Sequence, residues 1–199
     1  MFGLKDQHIL EGKKFFDGPP HHDFSKLFKK AWLNDIVIND HIALHIKDKK
    51  DFCSLDSIID LRKVKGLYPP LKINKLFGAK KMLFAPLHVN NNHWTLLAVD
   101  LTKRSLRYFD SLNNKAPLAK IDTIRQHLIK IAKEEQVTLS EKDFRLICEE
   151  CPQQENGSDC GVFVLMAVDH LVQNKPLSYS GQDAPFMRLK VLSDLWQLF

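Results

Sequence analysis

The sequence lacks long hydrophobic runs. No stretch of about 18 consecutive apolar residues occurs in the 199-residue chain, so it holds no segment of the kind that spans a membrane as a helix. The first residues, MFGLKDQHILEGKKFF, also lack the apolar core of a secretory signal. These two absences predict an intracellular protein without a membrane span, and a reducing environment for its four cysteines.

Internal repeats, low-complexity tracts and a large charge excess are absent as well. Hydrophobic residues make up 44% and charged residues 27% of the chain, proportions that are typical of a globular domain. A domain of this size buries about 70% of the surface of its unfolded chain, so its core requires neither metal nor disulfides. The net charge of +5 favours acidic partners but is too small to predict a nucleic-acid binder.

Hydrophobic spacing predicts four helices and four strands. The helices are expected over 32–46, 118–132, 161–172 and 184–198, and the strands over 81–87, 93–100, 106–110 and 144–148. Asn34 and Asp35 are possible caps of the first helix. The two middle strands flank a short turn and are expected to pair as an antiparallel hairpin. Residues 52–78 are expected to be helical or irregular. The layout predicts an irregular arm over 1–30 and one α+β domain over 31–199.

The segment PQQENGSDCG, residues 152–161, places Cys160 at the start of an apolar helix. The unpaired N–H groups and the positive dipole end at a helix N-terminus favour a thiolate, and a nearby imidazolium favours it further. Gly161 is expected to leave open space beside the sulfur for an approaching carbonyl group. The alternative is a small, unreactive cysteine buried in the core, and the local sequence does not decide between the two.

Three further residues are suited to act with Cys160. His93 lies between a polar loop and a predicted strand, where it can serve as the base that a thiol nucleophile needs. Asp110 ends the partner strand of the hairpin and is placed to orient the imidazole. Gln154 lies on a turn that can fold back, so its amide can stabilise an oxyanion together with the Cys160 backbone N–H. Each of the three, taken alone, also fits an ordinary structural or surface role.

Two other patterns suggest different chemistry. Cys148 and Cys151 form a C-x-x-C pair, which occurs in zinc sites and redox motifs. Once Cys160 is assigned, only Cys53 remains as a further thiol, and no second closely spaced Cys/His pair supplies the other ligands. We therefore expect no metal and no cofactor. The basic residues lack the interleaved aromatics that bind single strands, so we expect no nucleic-acid partner.

Taken together, the motifs resemble the Ulp/SENP family of ubiquitin-like-protein cysteine proteases. The resemblance rests on four blocks in family order, which are Trp32-Leu33-Asn34-Asp35, His93-Trp94, Tyr108-Phe109-Asp110-Ser111-Leu112, and Gln154 with the run NGSDCG. Residues 183–185 and the basic amphipathic helix after them resemble the last helix of the family. The resemblance implies the Ulp/adenain-like cysteine protease fold, in which helices flank a central mixed β-sheet.

The resemblance also implies a role for each candidate residue. The implied catalytic residues are the nucleophile Cys160, the base and acid His93, its orienting partner Asp110, and the oxyanion donor Gln154. The implied substrate-binding residues are Trp32, Trp94, Asp35 and Gly161. The two tryptophans would roof a narrow channel for the Gly-Gly tail of the substrate, and the alternative for each is a place in the hydrophobic core.

These roles predict a thiol isopeptidase that cleaves after the C-terminal Gly-Gly of a ubiquitin-like modifier, in precursors and in lysine conjugates. The modifier is expected to be SUMO or ubiquitin before NEDD8, with SUMO or a dual SUMO/ubiquitin preference first because such members are frequent in the family. The segment between Asp35 and residue 83, where the family binds substrate, has no counterpart that identifies the modifier. The enzyme is expected to be a cytoplasmic or nuclear monomer or, as a bacterial effector, to act inside a host cell. One alternative is an acetyltransferase of the related bacterial effector type with the same Cys, His and acid. Another is a catalytically inactive module that only binds the modifier.

Overall fold

Five β-strands form one mixed sheet within the described residues of the computed structural model, which are 26–27, 31–58, 75–140 and 142–197. They lie side by side in chain order as β1 (Phe52–Ser54), β2 (Met82–Val89), β3 (His93–Asp100), β4 (Ser105–Phe109) and β5 (Arg145–Cys148). The three central strands are antiparallel, whereas β1 joins β2 and β5 joins β4 in parallel. The predicted α+β fold with a central mixed sheet is confirmed.

Four α-helices pack on this sheet in the same described ranges. They are α1 (Asp35–Ile46), α2 (Leu118–Glu134), α3 (Cys160–Val172) and α4 (Ala184–Trp196). Alternate residues of a strand point to opposite faces. On β3, Leu97 and Val99 therefore pack into the cluster that contains α2, while Leu96 and Ala98 pack into the cluster that contains the other three helices. Both faces of β3 are covered, which is why all of its residues are buried.

The first helix begins later than the sequence predicts. The apolar pattern starts at residue 32, but α1 begins at Asp35 because Asn34, one of the two possible caps, is its N-cap. The Asn34 side chain accepts a hydrogen bond from the backbone N–H of Val37 at 3.0 Å, which satisfies one of the donors left unpaired at a helix start. Trp32 and Leu33 consequently precede the helix, so their backbone path is set by other contacts.

The strand β1 is the clearest difference from the sequence prediction. Residues 52–78 are predicted to be helical or irregular, and this is wrong for Phe52–Ser54. Three residues are too few to show a period of two, and the strand exists because Cys53 pairs with Leu83 on β2. The predicted hairpin of β3 and β4 is confirmed, with Leu97 opposite Tyr108.

Several stretches of the chain lie outside the described residues, and they leave predictions open. The predicted arm over 1–30 falls there apart from residues 26–27, and so does the segment 59–74. The domain boundary at residue 31 therefore stays a prediction. Among the helices that the structure describes, none is both long and apolar enough to cross a membrane.

Candidate active site

The hairpin brings His93 and Asp110 together. His93 begins β3 and Asp110 directly follows β4, and these antiparallel neighbours place the start of one strand beside the end of the other. The His93 Nε2 atom lies 2.6 Å from Oδ1 of Asp110, and both side chains are buried. At this distance a charged imidazole donates a strong hydrogen bond to the carboxylate.

His93 is held in its charged form. Burial disfavours the imidazolium, but hydrogen bonds with Asp110 and with Cys160 outweigh it and raise the pKa of His93 to about 9. The ring is therefore protonated at neutral pH. Because Nε2 is engaged by Asp110, Nδ1 is the nitrogen left for the sulfur. The structure thus joins His93 to Asp110 by a hydrogen bond and places Cys160 near enough to raise the pKa of the same imidazole.

Four donors hold the Asp110 carboxylate. Oδ1 accepts from His93 and from the backbone N–H of Leu112 at 2.8 Å. Oδ2 accepts from the backbone N–H of Asn114 at 3.1 Å and from the Tyr108 hydroxyl at 3.3 Å. Burial would raise the pKa of Asp110, yet the bonds from His93 and the two backbone groups lower it. The carboxylate therefore stays ionised opposite the imidazolium.

Cys160 is the first residue of α3 and is 1% exposed. The next eight residues of the helix are also buried, so the burial of apolar surface anchors the helix start, and with it the sulfur, against the sheet. A first-turn N–H group has no partner within its own helix. The backbone N–H of Cys160 is therefore suited to donate a hydrogen bond to an anion that forms beside the Cys160 sulfur.

Gln154 is fixed between two partners. Its Oε1 atom accepts a hydrogen bond from the Ser111 hydroxyl at 2.6 Å, and its Nε2 atom donates to the carbonyl of Asn156. Its backbone N–H donates to the Ser111 carbonyl at 2.9 Å. Because an amide nitrogen has two hydrogens, the bond to Asn156 uses one and the other can serve a further acceptor.

The two tryptophans occupy different environments. Trp32 is 50% exposed and its indole N–H donates to the carbonyl of Gly157 at 2.6 Å, in the loop before Cys160. Trp94 is 5% exposed, and its indole N–H donates to the carbonyl of Leu33 at 2.9 Å. Trp94 therefore belongs to the core while adjoining His93 in sequence. Binding of substrate by the two indoles stays a prediction.

The expected open space beside Gly161 is wrong. A Cβ atom at this position would lie 3.0 Å from Cδ1 of Ile38, 3.1 Å from Cβ of Leu33 and 3.4 Å from Cδ1 of Trp94. Glycine instead allows α1 and Trp94 to pack directly on the start of α3. Asp35 is half-buried in the first turn of α1, where its charge complements the helix dipole. Substrate contacts of Gly161 and Asp35 stay predictions.

The sequence analysis missed Arg188. This residue lies on α4, is 5% exposed, and places Nη2 2.6 Å from Oδ1 of Asp159, the residue before Cys160. One signal in the sequence could have found it. Arg188 stands on the apolar stripe of the helix, between Ala184 and Val191, where a charged residue is buried only if it is paired.

The remaining cysteines have no common site. Cys148 is exposed on β5, while Cys151 is half-buried with its thiol donating to the carbonyl of Asp110 at 3.4 Å. Cys53 is buried, which raises the pKa of its thiol to about 12. Across the ranges that the structure describes, no three His, Cys, Asp or Glu side chains are grouped to hold a metal ion.

Known proteins are similar to this chain in sequence and in fold. A family profile described as "Ulp1 protease family, C-terminal catalytic domain" matches residues 60–196. Ubiquitin-like-specific protease 1 of Saccharomyces cerevisiae is 33% identical over 171 residues, which is 83% of this chain and 27% of that protein. Sentrin-specific protease 3 of Homo sapiens is 30% identical over 187 residues, or 87% of this chain and 31% of that protein. The chain thus spans less than a third of the length of these curated relatives.

Solved structures extend the similarity to the whole described fold. The C-terminal Ulp1 protease domain in complex with Smt3, the yeast ortholog of SUMO, matches with a TM-score of 0.78 at 25% identity, over 98% of this chain and 96% of that one. The SUMO protease Ulp1 with its catalytic cysteine oxidised to a sulfenic acid matches with a TM-score of 0.80 at 26% identity, over 99% and 96%. Since the family profile also matches more than half of the sequence, the chain belongs to the Ulp1 protease family.

Proposed function

We propose that this chain is a cysteine protease that cleaves after the C-terminal Gly-Gly of a ubiquitin-like modifier, both in precursors and in lysine conjugates. The observation that carries the proposal is the buried pair of His93 and Asp110, 2.6 Å apart, whose imidazole also interacts with Cys160 and has its pKa raised to about 9. An imidazolium beside a cysteine at a helix start favours the thiolate, the form of cysteine that attacks carbonyl carbon.

In the first half of the reaction, the Cys160 thiolate attacks the carbonyl carbon of the terminal glycine. A carbon–sulfur bond forms, and the carbonyl oxygen becomes an oxyanion that accepts hydrogen bonds from the Cys160 backbone N–H and the Gln154 amide. When this intermediate collapses, the carbon–nitrogen bond breaks. The His93 imidazolium gives its proton to the departing amine, and the modifier is left as a thioester on the sulfur.

In the second half, water replaces the sulfur. The neutral His93 accepts a proton from a water molecule, whose oxygen attacks the thioester carbon. The carbon–sulfur bond then breaks, which releases the modifier as a carboxylic acid and returns Cys160 as a thiolate beside a charged His93. The carboxylic acid loses its remaining proton to the solvent and becomes a free carboxylate. Asp110 stabilises the imidazolium in both halves, because its carboxylate is buried and ionised next to Nε2.

The substrate is proposed from the indoles and from the relatives. Trp32 presents half of its surface beside the loop that leads to Cys160, and a tail of two glycines can pass under a flat ring where larger side chains would clash. SUMO is the first candidate, because related solved structures are described as SUMO proteases and one contains Smt3. Ubiquitin and then NEDD8 follow. The proposal includes an intracellular location, because a thiolate needs a reducing environment, and a monomeric enzyme.

Cleavage of modifier precursors tests the proposal. Precursors of SUMO, ubiquitin and NEDD8 with a tail beyond Gly-Gly are incubated with the wild type and with Cys160→Ala, and the products are identified by mass. The wild type should release the tail of at least one precursor after Gly-Gly, and the variant should release none. Cleavage by Cys160→Ala would exclude Cys160 as the nucleophile. Acetylation of Cys160 by acetyl-CoA, without any cleavage, would favour an acetyltransferase instead.

A further inference from the structure

The buried guanidinium of Arg188 joins two segments that are distant in sequence. Nη2 donates to Oδ1 of Asp159 at 2.6 Å and to the carbonyl of Ala31 at 2.9 Å, and it lies 3.4 Å from the carbonyl of Ser158. Nη1 donates to the carbonyl of Lys26 at 2.9 Å, and Nε donates to Oδ1 of Asp159 at 3.3 Å. Every nitrogen of the side chain is therefore used.

Each of these two segments leads directly to a residue of the candidate active site. Asp159 is followed by Cys160, and Ala31 is followed by Trp32. A second bond runs parallel to the Arg188 link, because the Trp32 indole donates to the carbonyl of Gly157 at 2.6 Å. By binding both Asp159 and Ala31, Arg188 therefore fixes the position of the Trp32 ring relative to the Cys160 sulfur.

The loop before Cys160 is pinned from its other side as well. The Asn156 amide donates to Oδ2 of Asp159 at 2.7 Å, which leaves Oδ1 for Arg188. Oδ1 of Asn156 accepts from the backbone N–H groups of Ser158 at 2.9 Å and Asp159 at 3.0 Å. The Asp159 carboxylate is therefore a fixed anchor, and loss of Arg188 would remove the guanidinium donor from its Oδ1 atom and from the backbone carbonyls that Arg188 binds.

We propose that Arg188 is a positioning residue, which holds the Trp32 ring at the distance from Cys160 that a Gly-Gly tail requires. The inference rests on the proposed function, because the distance between the Trp32 ring and Cys160 matters only for binding a Gly-Gly tail. A guanidinium is needed because its planar fork bonds a carboxylate and backbone carbonyls at once, whereas a lysine presents a single charged nitrogen. Arg188 acts through Asp159 and Ala31, the groups it binds.

Two reactions of the same sulfur separate positioning from general destabilisation. The first is alkylation of Cys160 by iodoacetamide, which needs the thiolate but no channel. The second is covalent capture of Cys160 by SUMO, ubiquitin or NEDD8 bearing an electrophile at the C-terminal Gly-Gly, which needs both. Each rate is measured for the wild type, Arg188→Met and Arg188→Lys and is divided by the folded fraction from circular dichroism.

The matched control is Arg125→Met. Arg125 is a partly buried arginine that, like Arg188, bonds a carboxylate, that of Asp122, and a backbone carbonyl, that of Phe144. It lies on α2, which packs on the opposite face of the sheet from α3. Its substitution removes the same kind of contacts at a distance from the proposed clamp, and both reaction rates should stay at the wild-type level.

Arg188→Met should slow capture by about 100-fold, the loss expected from a reacting group displaced by roughly 1 Å, and leave alkylation close to the wild-type rate. Arg188→Lys should also slow capture without slowing alkylation, and it serves as the test if the methionine variant does not fold. An equal loss in both reactions, or unchanged capture, would overturn the positioning role. A wild type that is alkylated but captured by no modifier would overturn the proposed function, and the positioning role with it.

The coupling between Arg188 and Trp32 gives a second readout. Trp32→Ala should itself slow capture, since it removes the ring that Arg188 positions. If Arg188 acts through this ring, adding Arg188→Met to Trp32→Ala should slow capture only slightly further, because the two changes damage one arrangement. If the fold-losses in capture rate of the two single variants multiply in the double variant, the two residues act independently and the proposal is overturned.

Discussion

Oε1 of Gln154 accepts a hydrogen bond from the Ser111 hydroxyl at 2.6 Å. The Gln154 backbone N–H also donates to the Ser111 carbonyl at 2.9 Å, so the loop before Cys160 is joined twice to the turn after Asp110. Ser111 and Gln154 are both buried, and the joint is shielded from water. Asp110, which bonds His93, and the Gln154 amide, the proposed oxyanion donor, are therefore positioned by one common contact.

The first prediction concerns this amide. Gln154→Ala should lower kcat for a modifier precursor by about 100-fold, the usual loss when one oxyanion donor is removed. Ser111→Ala should lower kcat by about 10-fold, because the amide loses the hydrogen bond that fixes its Oε1 atom. Steady-state kinetics with KM and kcat resolved separately checks both. Gln126→Ala, on the exposed side of α2, is the control with unchanged kcat. A Gln154→Ala enzyme with wild-type kcat would remove the amide from the mechanism.

The second prediction concerns pH. Since the pKa of His93 is raised to about 9, kcat/KM should fall as the pH rises through about 9 and the imidazolium loses the proton that the leaving amine needs. The hydrogen bond and the charge of Asp110 both raise that pKa. Asp110→Asn should therefore move the alkaline limb to lower pH and also reduce the plateau. A pH–rate profile measures this, and an alkaline limb that stays in place in the variant would contradict the assignment of Asp110.

The third prediction concerns packing at the start of α3. Gly161→Ala should lower the free energy of unfolding by about 1–3 kcal/mol, because the added Cβ atom meets Ile38 at 3.0 Å and Leu33 at 3.1 Å in a filled core. Gly181→Ala is the matched control, since nothing lies within 4 Å of a Cβ atom there. Urea unfolding of the two variants makes the comparison. Equal stability of both would show that α1 can move away from α3 without cost.

The fourth prediction concerns acid. Burial is the largest factor that lowers the pKa of His45 to about 4, and Lys49, His41 and Lys190 lower it further while Asp169 opposes them. The folded protein keeps His45 neutral, whereas the unfolded chain takes up a proton near 6.5. Stability should therefore fall as the pH drops from about 6.5 to about 4, by about 3 kcal/mol in total from this residue.

His45→Gln isolates that contribution. The variant should unfold with a shallower pH dependence over this window, because it has no imidazole to protonate in the unfolded chain. The free energy of unfolding is measured by urea titration at neutral pH and near the lower end of the window. A wild-type pH dependence in His45→Gln would assign the acid sensitivity to other groups.

Much of the fold could be predicted because its signals are local. The apolar stripe of α2 and the alternation across the hairpin of β3 and β4 are visible within short windows. The four candidate catalytic residues could also be predicted, because each stands where an element starts or ends or on the turn between two elements. At such positions a side chain can face a cleft while the adjoining helix or strand holds its backbone rigid.

The errors and omissions arise from contacts between distant segments. The strand β1 depends on pairing with β2, which is distant in sequence: Cys53 contacts the carbonyl of Met82, 29 residues later. A strand of three residues shows no periodicity of its own. The space beside Gly161 is filled by α1, whose approach no local pattern reveals. Arg188 binds the carbonyl of Ala31 across 157 residues, and only its place on an apolar stripe hints at burial.

Covalent capture by a modifier tests the central claim most directly. The wild-type protein is incubated with SUMO, ubiquitin and NEDD8 that carry an electrophile at the C-terminal Gly-Gly, and intact mass and peptide mapping locate the adduct. We predict one adduct per chain with at least one modifier, on Cys160, and none in Cys160→Ser. A Cys160 that iodoacetamide alkylates but no modifier captures, or an adduct on Cys53, Cys148 or Cys151, would contradict the claim.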